Sequence, residues 1–251
     1  MQKRGVSFSG FLLVDGDWFN RQRVKLVYKD SSGKVLFWRF SNGEYKEEVK
    51  QDIQFLVDNG YPLKGVVCDG KKALIKAGEH FEVPVQRCLV HMQLRLQTLL
   101  TKKPRTQAGK DLLLWSRHLN QVHNKQDARV LIGWYLRLLK RHKEFINEKT
   151  ISTSDQDQKT WWYTHKYLRQ AYYHILNAKG YIFPYLRTPG LPKDTNGIEG
   201  FFSQVDTKLS RHRGLSQLRK ENLISWLFYL REFKQKPWKL QDILFSPICW
   251  I

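Results

Sequence analysis

The sequence predicts an α/β fold: a mixed sheet flanked by helices, interrupted by an all-α insertion. Three observations predict it. Residues 1–100 alternate short apolar or period-two runs with charged helical stretches, residues 101–189 carry helical spacing, and two amphipathic helices follow near the end of the chain. A length of 251 residues suits one large domain or one domain carrying an insertion.

The elements follow in order. Gly10–Phe19 opens with the compact apolar run FLLV and suits a buried strand. Val24, Leu26 and Tyr28 alternate with Lys25, Val27 and Lys29, the pattern of a half-buried strand. Asp30-Ser31-Ser32-Gly33 is turn chemistry, and 34–40 is a second β run, so the two pair as a hairpin. Residues 44–59 carry acids early and stop at Gly60, as a helix does. A strand at 63–68, a short helix at 71–77 and a strand at 83–88 complete the order β-β-β-α-β-α-β. From 89 to 180 the spacing is helical. Val130, Leu131, Trp134, Tyr135, Leu138 and Leu139 form one stripe, and Tyr163, Tyr167, Leu168, Ala171, Tyr172 and Ile175 form another. The polar stretch 147–159 between them reads as a loop, proline-rich 181–195 as an irregular connector, and 197–211 and 215–234 as the closing helices.

Composition narrows the function. Aromatics at 14% and hydrophobics at 41% argue against wholesale disorder. No stretch approaches the roughly 18 apolar residues of a membrane span, and Phe11–Val14 is too short for a signal peptide. Three cysteines make no disulfide scaffold and fit a reducing, cytoplasmic setting. The net charge is +20, of which residues 1–100 supply only 5 and residues 101–251 supply 15. Such a surplus on a folded chain points to a polyanion, with nucleic acid ahead of a membrane surface.

Against that background three acids are conspicuous. Asp15 follows directly on FLLV and Asp69 directly on GVVC. An acid at the C-terminal end of a buried strand packs badly but is well placed for a site. For Asp69, a turn or N-cap role before the next helix is the competing reading. Glu199 lies at the edge of the stripe Ile198, Phe201, Phe202, Val205 and Leu209; with Asn196 three residues earlier it also resembles a capping box. Two strand-end aspartates and a helical glutamate on a basic chain supply the hard oxygens that Mg²⁺ or Mn²⁺ takes. Two such ions about 3.5–4 Å apart serve phosphoryl transfer.

The segments LLVDGDWF (12–19), KGVVCDGKKAL (64–74), QRCLVHMQ (86–93) and TNGIEGFFSQVDTKLSRHRGL (195–215) together resemble the catalytic domain of DDE transposases, specifically the Mutator-like bacterial insertion-sequence group. The resemblance spans nearly the whole chain. It implies an RNase H-like sheet built from 1–100 and 190–251, with 101–189 as the helical insertion. It further implies that Asp15, Asp69 and Glu199 form a triad holding two Mg²⁺ or Mn²⁺ ions, with Cys88 and His91 as a C-x-x-H pair beside them. The activity implied is DNA transposition: water nicks the transposon end, and the freed 3′-OH attacks the target strand. Its partners are double-stranded DNA and further copies of the chain, as a dimer or higher assembly, in a bacterial nucleoid. Two departures stand out. Asp17 replaces a small polar residue and shares a strand face with Asp15, so it could compete for metal or merely flank it. About nine residues precede the first strand, so the usual N-terminal end-recognition module is not expected here, and the chain reads as truncated or as one segment of a larger protein.

Other features have two readings each. Cys88 and His91 begin a zinc site only if Cys68, His80 or Cys249 completes it. Lys208, Arg211, His212 and Arg213 suit a helix C-terminus but are expected to grip DNA phosphates. Trp161 and Trp162 are expected to pack in the insertion core, with stacking on a DNA base as the alternative. A nuclease without strand transfer and a non-catalytic DNA-binding remnant are the rival functions.

Overall fold

The computed structural model describes residues 8–19, 22–153 and 159–233. A five-stranded mixed sheet has the order β3-β2-β1-β4-β5, built from β1 (Phe11–Trp18), β2 (Val24–Asp30), β3 (Val35–Ser41), β4 (Gly65–Cys68) and β5 (Val85–Arg87). The first three strands form an antiparallel meander, and β4 and β5 run parallel to β1. Helices α1 (Lys46–Asp58) and α2 (Lys72–Glu79) supply the β3–β4 and β4–β5 crossovers. This meander followed by two parallel strands is the RNase H-like arrangement.

Strand periodicity decides what each face carries. Leu12, Val14, Leu26, Tyr28, Val66 and Cys68 point to one face and pack under Val49, Ile53 and Leu56 of α1 and Leu74, Ile75 and Ala77 of α2. Phe11, Leu13, Val27 and Val67 point to the other. There they meet Ile198, Phe201, Phe202 and Val205 of α7 (Asn196–Ser210) and Ile224 and Phe228 of α8 (Gln217–Phe233). The same alternation carries Asp15, Asp17, Lys25, Lys29 and Asp69 to the α7 side.

Here the sequence reading of β2 needs correction. The strand is buried along its whole length, not half-buried, because helices cover both faces. Burying the lysines is tolerated because each is partnered. Lys25 Nζ lies 2.5 Å from Asp17 and 2.8 Å from Asp206, and Lys29 Nζ donates to the Gly197 carbonyl at 2.7 Å.

A second core, made by helices α3 (Leu89–Leu100), α4 (Gln107–Arg117), α5 (Lys125–Ile146) and α6 (Lys166–Ala178), runs from Leu89 to Ile182. Its aromatics bury their rings and satisfy their polar ends: Trp115 Nε1 donates to the Leu131 carbonyl at 2.8 Å and Tyr135 Oη to the Tyr172 carbonyl at 2.7 Å. This region is not purely helical. Residues expected to form a loop and the start of a helix instead pair as an antiparallel hairpin, β6 (Lys149–Thr153) with β7 (Lys159–Tyr163). The run Thr160-Trp161-Trp162-Tyr163 is β-branched and aromatic, which favours a strand. Trp161 and Trp162 are consequently 55% and 50% exposed rather than packed in the core, and Tyr163 and Tyr167 leave the expected stripe of α6. Val130 is likewise exposed, on the outer side of α5. Among the described residues no helix is long and apolar enough to cross a membrane.

Candidate active site

Register brings the first two acids together. Val14 lies opposite Cys68 in the parallel β1–β4 pair, so the next residues, Asp15 and Asp69, emerge side by side where β4 ends. β1 itself continues to Trp18 along β2, so Asp15 ends the doubly flanked part of the strand rather than the strand. Cys68 in turn lies opposite Arg87, which places Cys88, at the mouth of α3, next along the same edge. Glu199 comes from the first turn of α7, whose apolar stripe fixes that turn over Leu13 and Val27.

His91 sits among these groups. Its Nε2 is 4.0 Å from Asp15 Oδ2 and 3.7 Å from Glu199 Oε1, while its Nδ1 is 3.4 Å from Thr195 Oγ1. The ligand atoms of Cys88, His91 and Glu199 all fall within 4.8 Å of one another. The expected capping box does not form: Thr195 is the N-cap residue, no side-chain cap bond is made, and the Asn196 N–H turns back to Asp194 Oδ1 at 3.1 Å. Glu199 is therefore not held by its own helix, and its buried Oε1 has no hydrogen-bond partner among the described residues.

The electrostatics are those of crowded anions. Asp15 is 4% exposed and, among the described residues, accepts one hydrogen bond, from the Gly16 N–H at 2.9 Å. Burial first, then the charges of Asp69 and Glu199, push its pKa up to about 7 against the opposing pull of His91. His91 is raised to about 9, chiefly by its hydrogen bond to Cys88 and then by the Asp15 charge, which outweigh burial. An under-coordinated buried carboxylate, an orphaned Glu199 oxygen and a neighbouring Asp69 fit a hard divalent cation, which would supply the missing positive charge. Asp15 and Asp69 lie outside the cluster of Cys88, His91 and Glu199 ligand atoms, and so do Cys68 and His80, so neither of the latter completes the zinc site the sequence offered; the Cys68 thiol is pushed by burial up to about 12, and Cys249 lies outside the described residues.

The remaining predicted residues fall elsewhere. Asp17 turns to Lys25, which ties it to Asp206 and away from Asp15. Lys208, Arg211, His212 and Arg213 are exposed at the far end of α7, with Arg211 about 18 Å along the axis from Glu199. Arg213 and Lys220 line an open cleft of about 400 Å³ whose opposite wall is Trp18 and Phe19, at the end of the strand that carries Asp15.

Three groups at the site escaped the sequence reading. Glu44, in the turn between β3 and α1, packs its Oε1 against the backbone of Gly16, where any Cβ would overlap it. Lys71 bonds Glu44 Oε2 and lies 3.4 Å from Asp69 Oδ2. Arg87 is buried against Gly70, which has φ +93° and no room for a side chain beside the guanidinium. The Ser-Asn-Gly turn just before Glu44 was the available signal, since a glutamate in a tight turn is not yet part of a helix face.

No family model matches this chain, and no curated protein matches it. Solved structures do, among them the catalytic core domain of BIV integrase, at 13% identity and a TM-score of 0.27, covering 68% of this chain and 98% of that one.

Proposed function

We propose that this chain is a DDE-type transposase catalytic domain, carrying out divalent-metal-dependent DNA strand cleavage and 3′-OH strand transfer. What supports the reading is that strand register sets Asp15 beside Asp69, and that His91 lies 4.0 Å from Asp15 and 3.7 Å from Glu199, so groups from three separated segments line one edge of an RNase H-like sheet. Asp15, Asp69 and Glu199 would hold Mg²⁺ or Mn²⁺, which when bound polarises a phosphoryl oxygen and activates the attacking one. The protein's own part is placement. Burial keeps water off Asp15, the Lys71 N–H fixes Asp69 Oδ1 at 2.7 Å, and α7 presents Glu199 from above the sheet. Cys88 and Thr195 both bond the His91 ring, whose Nε2 faces the carboxylates. Lys208, Arg211, His212 and Arg213 would take backbone phosphates of double-stranded DNA, so binding should weaken steeply with salt.

The test supplies purified chain, Mg²⁺, a labelled oligonucleotide with a free 3′-OH and a supercoiled plasmid. Covalent joining of label to plasmid is the expected result. Nicking without joining would make the protein a nuclease. DNA binding with neither, unchanged in Asp15→Asn and Glu199→Gln, would make it a non-catalytic remnant.

A further inference from the structure

We propose that Glu44 is a positioning residue that takes the closer share of the Lys71 ammonium, which also pairs with Asp69 Oδ2, and so loosens the lysine's hold on Asp69 enough for a divalent cation to displace it. The inference rests on the cation-binding reading above and deepens it.

Four observations support it. The Glu44 side chain is 6% exposed although it belongs to a turn, where a carboxylate would ordinarily stay in water. Gly16 leaves it the space to reach the strand that carries Asp15. Its Oε2 pairs with Lys71 Nζ, while its Oε1 is buried with no hydrogen-bond partner among the described residues, so Lys71 is what holds the carboxylate there. Lys71 Nζ simultaneously pairs with Asp69 Oδ2 at 3.4 Å, a longer contact that would tighten were Glu44 neutral.

Asp69 does not need that ammonium for its orientation, because the Lys71 backbone N–H already fixes Oδ1. An ammonium that settled on Oδ2 would compete with a cation for the same lone pairs. Glu44 thus acts as a decoy anion for Lys71, and the logic is that of two acids sharing one base.

Mn²⁺ affinity of the full chain, measured by calorimetry at pH 8 with thermal unfolding in the absence of cation as a control, tests this. Glu44→Gln should bind Mn²⁺ about tenfold more weakly than wild type, the size of a shift of about 1.4 kcal/mol. Adding Lys71→Ala to Glu44→Gln should restore the affinity to within about threefold of wild type, and Lys71→Ala alone should bind at least as tightly as wild type. A purely structural Glu44, or one that ligates the cation directly, would not be rescued by removing the lysine. Wild-type binding with unchanged Glu44→Gln overturns this inference alone, as does a double variant that stays weak. Should Glu44→Gln not fold, Lys71→Ala decides the matter: affinity more than about threefold below wild type overturns the proposal. A wild-type chain that binds no Mn²⁺ overturns the cation reading itself, and this inference with it.

Discussion

A buried aspartate lies near each end of strand β1, one on its neighbour β2 and one its own, and the two are opposites. At its start, Asp30 of β2 lies opposite Leu12. It accepts hydrogen bonds from the Ser9 N–H and hydroxyl, the Gly10 N–H, the Ser32 N–H and the Tyr61 hydroxyl. Burial alone would raise its pKa, yet the donors at Ser32, Ser9 and Tyr61 outweigh it and hold the carboxyl well below the usual range. Towards the other end, Asp15 has, among the described residues, the Gly16 N–H as its one donor and faces Asp69 and Glu199, and its pKa rises to about 7. Equal burial therefore means different things. A carboxylate with a full set of donors anchors the fold; one short of donors and set among other carboxylates is built for a positive partner.

The comparison can be broken most forcefully through activity. Asp15→Asn, Asp69→Asn and Glu199→Gln are each expected to lower the rate of DNA cleavage by roughly 10³-fold, about 4 kcal/mol of barrier, with the fold intact by circular dichroism. Asp30→Ala should do the reverse. It strands five donors and should lose about 3–5 kcal/mol of stability in urea unfolding while leaving cation binding in place. Because the Asp30 pKa is depressed on folding, its contribution should be present above the unfolded value of about 3.9 and be lost as pH falls below it.

Asp15 should show the opposite pH dependence. Between about pH 4 and 7 the folded chain keeps a proton that the unfolded chain has released, so without cation its stability should fall as pH rises through that window. Asp15→Asn should accordingly gain up to about 4 kcal/mol at pH 8 and nothing below about pH 4, read from unfolding curves at the two pH values. A variant that destabilised at pH 8 would show that Asp15 anchors the fold after all. The smallest effect belongs to the surface. Arg211→Ala or Arg213→Ala should weaken DNA binding a few-fold and reduce the salt slope by about 1, as measured by fluorescence anisotropy across a salt series.

Much of this architecture was legible because it follows from local periodicity. The meander, the two crossovers and the apolar stripe of α7 all read directly from residue spacing, and Asp15 and Asp69 stood out because acids end apolar runs. What could not be read depends on the return of distant chain. Lys25 and Lys29 look solvent-facing until α7 covers them, and Glu44 looks like an ordinary helix-start acid until its turn folds over Gly16. The hairpin of β6 and β7 was missed for a different reason: five-residue strands are too short to declare a period, and Trp161-Trp162 fits a buried helix as readily as an exposed strand.

The central claim is that Asp15, Asp69 and Glu199 form one cation site. Anomalous diffraction from crystals soaked in Mn²⁺ tests it most directly. The predicted result is density within bonding distance of all three carboxylates and none at Asp30. Density held by Cys88 and His91 without Asp15 and Asp69, or no density at this edge of the sheet, would contradict it.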